Sequence, residues 1–149
     1  MRPIVARIDS AALAHNLMVA RQAAGSTRLL AVVKANGYGH GLARVGQALR
    51  AADGYAVLTL DEAATLRAQG LSHPIVLLEG FFHPDELPEI ARRRLIPVIH
   101  RDDQIDALAH ARVEHRIDCF LKFDSGMHRL GFAPAPARAA LQRLRALPQ

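Results

Sequence analysis

The 149-residue chain has no tryptophan and only one cysteine, Cys119. One cysteine excludes an internal disulfide and fits a reducing, cytoplasmic compartment. Cys119 stands between Asp118 and Phe120 in an apolar run, the setting of a core thiol rather than a reactive one. No apolar run is long enough to span a bilayer, which excludes a membrane-spanning helix. The opening Met-Arg-Pro-Ile-Val-Ala-Arg has charges where a signal peptide needs an apolar core. The 8 histidines form no HxH or HExxH arrangement, and His110 and His115 leave a common helical face, so no metal site is expected. The net charge is +5, yet the basic residues are dispersed. Their one run, Arg92-Arg93-Arg94, closes a helical pattern, where cations suit the helix dipole. With no basic stripe interleaved with aromatics, nucleic acid is not an expected partner.

The composition is otherwise that of an ordinary water-soluble protein, 50% apolar and 22% charged, and the length suffices for one domain with a real core. Pro3 to Ile8 reads as a short leading strand. Asp9 or Ser10 caps a helix faced by Leu13, Leu17, Ala20 and Ala24, and Gly25 stops it. From Leu29 the chain repeats one unit. Apolar runs at Leu29–Val33, Gly54–Leu60, Pro74–Leu78, Ile96–Ile99 and Ile117–Phe123 read as strands. Helical patterns follow them: one begins at Leu42, one runs from the capping box Thr59-x-x-Glu62 to Gly70, and one covers Pro84–Arg94 with a late start or kink at Pro88. Two more span Asp102–Arg112, faced by Ile105, Leu108 and Ala109, and Ala135–Leu147, faced by Leu141 and Leu144. Repeated βα units imply an α/β fold with a parallel sheet and right-handed crossovers. Continuous apolar runs suit strands buried on both faces. An open doubly wound sheet and part of a (β/α)8 barrel both fit, and the pattern alone favours the open sheet.

The chemistry concentrates at two strand ends. Leu29–Val33 stops on Lys34, and Gly37-Tyr-Gly-His-Gly41 follows. Strand ends that feed helices are where α/β proteins place their sites. Lys34 there either snorkels at the strand end or acts as nucleophile or base. The glycine turn offers free amides and a helix N-terminus as an anion site, without dinucleotide GxGxxG or Walker spacing. A lysine that condenses with an aldehyde, beside a phosphate site, suggests pyridoxal phosphate, with Tyr38 near the phosphate. Packing is the alternative use of Tyr38, and hydrogen bonding within the turn that of His40. The second stretch, Phe120-Leu-Lys-Phe-Asp-Ser-Gly-Met-His-Arg-Leu-Gly-Phe132, repeats the layout. In a parallel sheet Lys34, Lys122 and Arg129 reach one rim. They suit an anionic ligand and repel one another unless neutralised; a surface loop with solvated charges is the alternative.

Val33-Lys-Ala-Asn-Gly-Tyr-Gly-His-Gly41 resembles the pyridoxal-phosphate attachment motif of bacterial alanine racemases, and Leu121–Phe132 resembles that family's second signature. Arg2–Asn16 and Leu77-Leu-Glu-Gly80 also look like the family, so the resemblance covers essentially residues 1–149. It implies the N-terminal part of a (β/α)8 barrel, about five βα units behind a leading strand that belongs with a carboxy-terminal β-domain. It implies L- and D-alanine interconversion, serving peptidoglycan precursor supply or alanine catabolism, in a homodimer. By resemblance, Lys34 binds the cofactor aldehyde and then acts as the base on one face of the substrate Cα. Tyr38 contacts the cofactor phosphate. Arg129 approaches the cofactor's phenolic oxygen and the substrate carboxylate. Lys122 matches a lysine often carboxylated in the family; as a carbamate it would hold Arg129 by a charge-assisted bond and remove the clash of three cations. The opposite-face acid of the family is a tyrosine on the β-domain of the partner subunit, and neither Tyr38 nor Tyr55 lies in a matching context. The expectation is therefore a truncated racemase, inactive alone, with exposed sheet edges that favour self-association. The other readings are a broad-specificity amino-acid racemase or decarboxylase on the same barrel, and a non-catalytic pyridoxal-phosphate-binding module.

Overall fold

The structure is a computed structural model that describes residues 3–147; Met1, Arg2, Pro148 and Gln149 lie outside the described residues, as do the ends of the expected 1–149 domain. Five parallel strands form one sheet in the order β1-β2-β3-β4-β5: β1 (Leu30–Val32), β2 (Gly54–Val57), β3 (Ile75–Leu77), β4 (Leu95–Ile99) and β5 (Phe120–Leu121). A doubly wound sheet reverses its strand order at a switch point. Here each strand lies beside its predecessor, the arrangement of a barrel wall. The order settles between the two architectures in favour of the barrel.

Strand alternation gives the sheet two unlike faces. Registers Ala31↔Tyr55↔Ile75↔Leu95 and Val57↔Leu77 line one face. Tyr55, Val57, Ile75, Leu77, Leu95 and Ile99 pack there against helices α3 (Leu42–Ala48), α4 (Leu60–Ala68), α5 (Leu87–Arg92), α6 (Asp102–His110) and α7 (Pro134–Arg145). Register Val32↔Ala56↔Val76↔Ile96 lines the other face, where Ala56, Val76 and Val98 cluster with Leu78 and Ile96 and no helix covers them. Burial on both faces therefore holds for β2 and β3. At the edges, Leu30 and Val32 of β1 are 43% exposed and Phe120 of β5 is 51% exposed. These positions belong to the inner face of a barrel wall.

Helix α1 (Ser10–Ala24) begins as the sequence implies: the Asp9 carboxylate accepts from the Ala11 and Ala12 amides at 2.8 and 3.1 Å. The helix buries no residue completely: Leu13 packs against the core, and an ion pair anchors its other end. Arg21 Nη1 donates to Asp53 Oδ2 at 2.6 Å, and that oxygen also accepts from the Leu29 amide at 2.7 Å. This ties α1 to the entries of β1 and β2, and it holds the Asp53 carboxyl below its usual range. Pro88 falls in the first turn of α5, after a 3₁₀ turn at Pro84–Glu86, so the helix starts late as expected. Arg92 and Arg93 at its end both pair with Glu89. Cys119 is half-buried against the helix-side core, and burial raises its thiol pKa.

Three expectations need correction. Pro3–Ile8 is not a strand: it has no pairing partner among the described residues, and Ile4 and Val5 are exposed. Extended backbone without a ladder leaves its amides to water. β5 is Phe120–Leu121 rather than Ile117–Phe123, because it has β4 on one side only. The inward face of α6 is Gln104, Ile105 and Leu108, not Ala109. The expected face of α7 holds, with Leu141 and Leu144 half-buried and Leu144 against the core, and the fully buried Ala137 and Ala140 extend it. Small residues let α7 lie close.

The open edges β1 and β5 and the apolar inner face generate a prediction. The 149-residue chain associates as its concentration rises, by edge pairing or face burial. Sedimentation velocity checks this; a single monomeric boundary at hundreds of micromolar contradicts it.

Candidate functional site

The most unusual backbone in the molecule follows β1 directly. Val33 is buried against the helices and donates the last ladder bond, 2.9 Å to the Ala56 carbonyl. Lys34 follows at the carboxyl end of β1, half-exposed, where Val33 (φ -125°, ψ 21°) leaves the extended conformation. Ala35, Asn36, Gly37 and Tyr38 then all take positive φ, between 53° and 63°, so α2 (Lys34–Tyr38) is largely a left-handed turn. Left-handed backbone costs about 1 to 2 kcal/mol for each ordinary L-residue. Hydrogen bonds offset it, at about 1 kcal/mol each. The amides of Gly37, Gly39 and Gly41 donate to the carbonyls of Val33, Ala35 and Asn36 at 2.9, 3.0 and 2.9 Å. Asn36 Oδ1 accepts from the Leu42 amide at 2.9 Å and so starts α3.

Glu62 braces this turn from the neighbouring unit. Thr59 caps α4 as expected, its hydroxyl accepting from the Glu62 amide at 3.3 Å. The reciprocal bond differs from a capping box. Glu62 Oε2 accepts from the Leu58 amide at 2.9 Å, and Oε1 accepts from the Asn36 amide at 3.3 Å. The helix cap of the second βα unit thus holds the turn that carries Lys34 in the first. The expected free amides are correspondingly absent. The amides of Asn36, Gly37, Gly39, His40, Gly41 and Leu42 are all bonded within this network, so the turn is not an amide cradle. His40 is a structural hydrogen-bonder: its Nδ1 lies 2.9 Å from the Gly37 carbonyl. Tyr38 is 58% exposed, with its hydroxyl unbonded among the described residues.

The second stretch closes on itself. The Asp124 amide donates to the Phe132 carbonyl and the Phe132 amide to the Lys122 carbonyl, both at 2.9 Å. Asp124 Oδ1 accepts from the Gly126 and His128 amides, each at 3.0 Å, which holds its carboxyl below the usual range. The Asp-Ser-Gly sequence carries this turn chemistry, and a reading centred on cations passes over it. A Cβ at Gly131 would stand 2.7 Å from the Asp124 amide nitrogen, so only glycine permits the closure. Lys122 is half-buried on the inner face, and Arg129 is exposed on the loop, without an ion pair among the described residues.

Lys34, Lys122 and Arg129 all lie at the carboxyl pole of the sheet. Lys34 follows one edge strand and Lys122 lies beyond the other, with β2, β3 and β4 between. At about 4.8 Å per strand the path along the sheet is roughly 19 Å.

Between them stands a residue outside the sequence-derived site. His100 follows β4 and is 8% exposed. Its amide donates to Gln104 Oε1 at 3.0 Å, and its Nδ1 lies 3.2 Å from the Val98 carbonyl. Gln104, itself buried, donates to the Glu79 and Phe81 carbonyls at 3.2 and 3.1 Å, locking the loops after β3 and β4 together. A glutamine in the first turn of a helix gives no sequence signal for this. Tyr55 is removed from the rim: it lies on the helix side, its hydroxyl donating to the Gly46 carbonyl at 2.7 Å.

A phosphate-bearing aldehyde cofactor requires an accessible amine and an anion contact. Lys34 is a half-exposed amine and Tyr38 an exposed phenol on the same turn, so the residues present fit both needs, without an amide cradle. A one-sided parallel sheet of barrel order with a lysine at the end of its first strand defines a (β/α)-barrel protein with a lysine-centred rim. Residues 8–149 match the family model "Alanine racemase, N-terminal domain". The chain belongs to the alanine racemase family, through that N-terminal domain. It is 54% identical over 146 residues to an alanine racemase of Erwinia tasmaniensis, covering 98% of this chain and 41% of that protein. The fold superposes on the biosynthetic alanine racemase of Pseudomonas aeruginosa with a TM-score of 0.93 at 46% identity, covering 98% of this chain and 41% of that one. It also superposes on the alanine racemase of Bartonella henselae, solved with covalently bound pyridoxal phosphate, with a TM-score of 0.78 at 27% identity over 91% of this chain and 40% of that one. The chain thus spans about two-fifths of the length of these relatives. No helix among the described residues is long and apolar enough to cross a membrane.

Two predictions follow from this geometry. A Cβ at Gly37 would stand 2.9 Å from Val45 Cγ2, whereas one at Gly39 meets nothing within 4 Å. Gly37→Ala should cost 2 kcal/mol or more, and Gly39→Ala about 1 kcal/mol, on urea denaturation. Burial, ahead of its cationic neighbours, holds the His100 pKa below the ordinary 6.5. As pH falls the unfolded chain takes up this proton first. The contribution of a neutral His100 to stability is therefore complete above about 6.5 and lost as the pH falls below it. The urea midpoint should fall between pH 7.5 and 5.5, and fall less in His100→Gln.

Proposed function

We propose that this chain forms the lysine-bearing half-site of a pyridoxal-phosphate-dependent amino-acid racemase, with alanine as its substrate. The observation that carries this reading is Lys34, presented on the rim of a barrel wall by a left-handed turn that its neighbours brace. The relatives' printed names add the reaction, and the Bartonella henselae structure adds the cofactor. When bound, the cofactor would supply an electron-accepting ring that acidifies the substrate Cα–H. Lys34 provides the amine that holds the cofactor aldehyde, and once substrate displaces it, a base for one face of the substrate Cα. Tyr38 contacts the phosphate. Arg129 contacts the phenolic oxygen and the substrate carboxylate, and Lys122, as amine or carbamate, adjusts the charge beside it.

The residues divide a two-base reaction. Inversion at Cα needs an acid on the opposite face. Tyr55 is buried on the helix side and Tyr38 belongs to the phosphate contact, so these residues serve one face only. We infer that a partner subunit of a homodimer supplies the other. The location that suits this chemistry is the cytoplasm.

Borohydride treatment of the chain with pyridoxal phosphate should fix the cofactor on the peptide containing Lys34, and Lys34→Ala should reduce labelling at least tenfold. Labelling spread over surface lysines contradicts the assignment. Deuterium entry at the Cα of L-alanine in heavy water, without formation of D-alanine, is the expected activity of the chain alone. Cofactor attachment without deuterium entry would favour a binding module instead.

A further inference from the structure

The roles above leave one buried titratable group of the rim unused. His100 is clamped at its amide by Gln104 and at its ring by the Val98 carbonyl. A carbonyl oxygen only accepts, so Nδ1 carries the hydrogen. In the neutral ring Nε2 is then a bare acceptor, and it makes no hydrogen bond among the described residues. The ring's position follows from register. Val98 pairs with Phe120 and Ile99 with Leu121, and the Lys122 amide donates to the Ile99 carbonyl at 2.8 Å. One step further the ladder sets His100 opposite Lys122, on the inner face that Val98 and Phe120 share. Side chains so placed on neighbouring strands stand about 5 Å apart at Cβ.

The charged groups whose fields reach the ring are Arg101 on its own segment, Lys122 from the segment beside it and Glu79 from the loop after β3. A carboxylate cannot donate to Nε2. Arg101 is committed to Asp103 at 3.0 Å. Lys122 has no hydrogen bond or ion pair from its side chain among the described residues. Among the described residues it is the uncommitted cation beside His100 in register.

We propose that His100 is a positioning residue for Lys122: His100 Nε2 accepts a hydrogen bond from Lys122 Nζ and fixes where that side chain stands on the rim. A neutral acceptor orients the lysine without cancelling its charge, which an aspartate there would do. Burial keeps the ring in that neutral form at neutral pH. Once protonated, the ring loses its acceptor and faces Lys122 as a like charge, so the pairing opens in acid. A carbamate at Lys122 retains one N–H, and the same bond would orient it. The relevance of the pair to catalysis rests on the function proposed above; the pair itself does not.

The test uses the 149-residue chain, 15N-labelled at histidine, without pyridoxal phosphate and in buffer freed of carbon dioxide. His100→Gln identifies the His100 signals by their loss. At pH 7.5 the wild-type ring should be the Nδ1–H tautomer. In Lys122→Met the Nε2 signal should move by several ppm toward the position of a free acceptor, and the His100 titration midpoint should rise as a facing cation is removed. The other histidine signals report whether the variant is folded. An Nε2–H tautomer in the wild-type chain overturns the proposal without any variant. So does an Nε2 signal that stays in place in Lys122→Met, even if the midpoint moves, because that shows charge proximity without the bond. Failure of the cofactor reading appears separately, as lost borohydride labelling at Lys34 with these signals unchanged.

Discussion

Helices cover only one face of the five-stranded sheet, and that one-sidedness decides where every polar group of the rim goes. On the covered face the side chains are apolar and closely packed, and the one hydroxyl among them, that of Tyr55, is satisfied by the Gly46 carbonyl. An unpaired polar group buried there would cost roughly 1 to 3 kcal/mol. The inner face is thinner in atoms, with alanine and valine at its centre and half-exposed residues at both edges. Lysines tolerate such a place, since their stems lie along apolar surface while the amine reaches the rim. Val33 is buried against the helices, and the chain then delivers Lys34, half-exposed, at the strand end.

Backbone strain is concentrated where that delivery happens. A run of left-handed residues that includes Ala35 and Tyr38 persists only if its surroundings over-determine it. They do so from two sides. Asn36 ties the turn forward to α3, and Glu62 ties it sideways to α4. The first and second βα units are thereby joined at the rim, in addition to their ladder. Gln104 does the same for the third and fourth units, through the loops after β3 and β4. A barrel wall whose adjacent loops are cross-bonded can hold side chains in fixed positions without a helix behind them.

The strands, the helix order and the importance of Lys34 were legible because each has a local signature: apolar runs at regular spacing, capping residues, a lysine followed by alternating glycines. The choice between open sheet and barrel was not legible from periodicity, since both consist of the same βα units; only the family resemblance pointed to the barrel, and strand order supplied the physical reason. The left-handed turn was only half legible. Glycine at 37, 39 and 41 announces positive φ, but nothing announces it at Ala35, whose carbonyl accepts from the Gly39 amide and whose neighbours are held by the Gly37–Val33 and Asn36–Glu62 bonds. Glu62 was legible as a cap and not as a brace, because its second partner is 26 residues away. His100 and Gln104 left no trace, since neither belongs to a motif and both act through contacts between units.

The separation of Lys34 from Lys122 changes what Lys122 can be for. Had the two amines been adjacent, the simplest role of any partner would have been to neutralise one of them. With three strands between them, Lys34 is not the cation that Lys122 must be neutralised against, and Lys122 still has a long side chain to orient. A lysine side chain carries about 2 kcal/mol of rotamer entropy, and a group that must stand in one place needs something to hold it there. A rigid acceptor on the adjacent strand meets that need at short range. Arg129, exposed on a loop that Asp124 and Gly131 close, has its direction set by backbone instead. The rim thus fixes its two outlying cations by different means: one through a side-chain acceptor, the other through the fold of the loop that carries it.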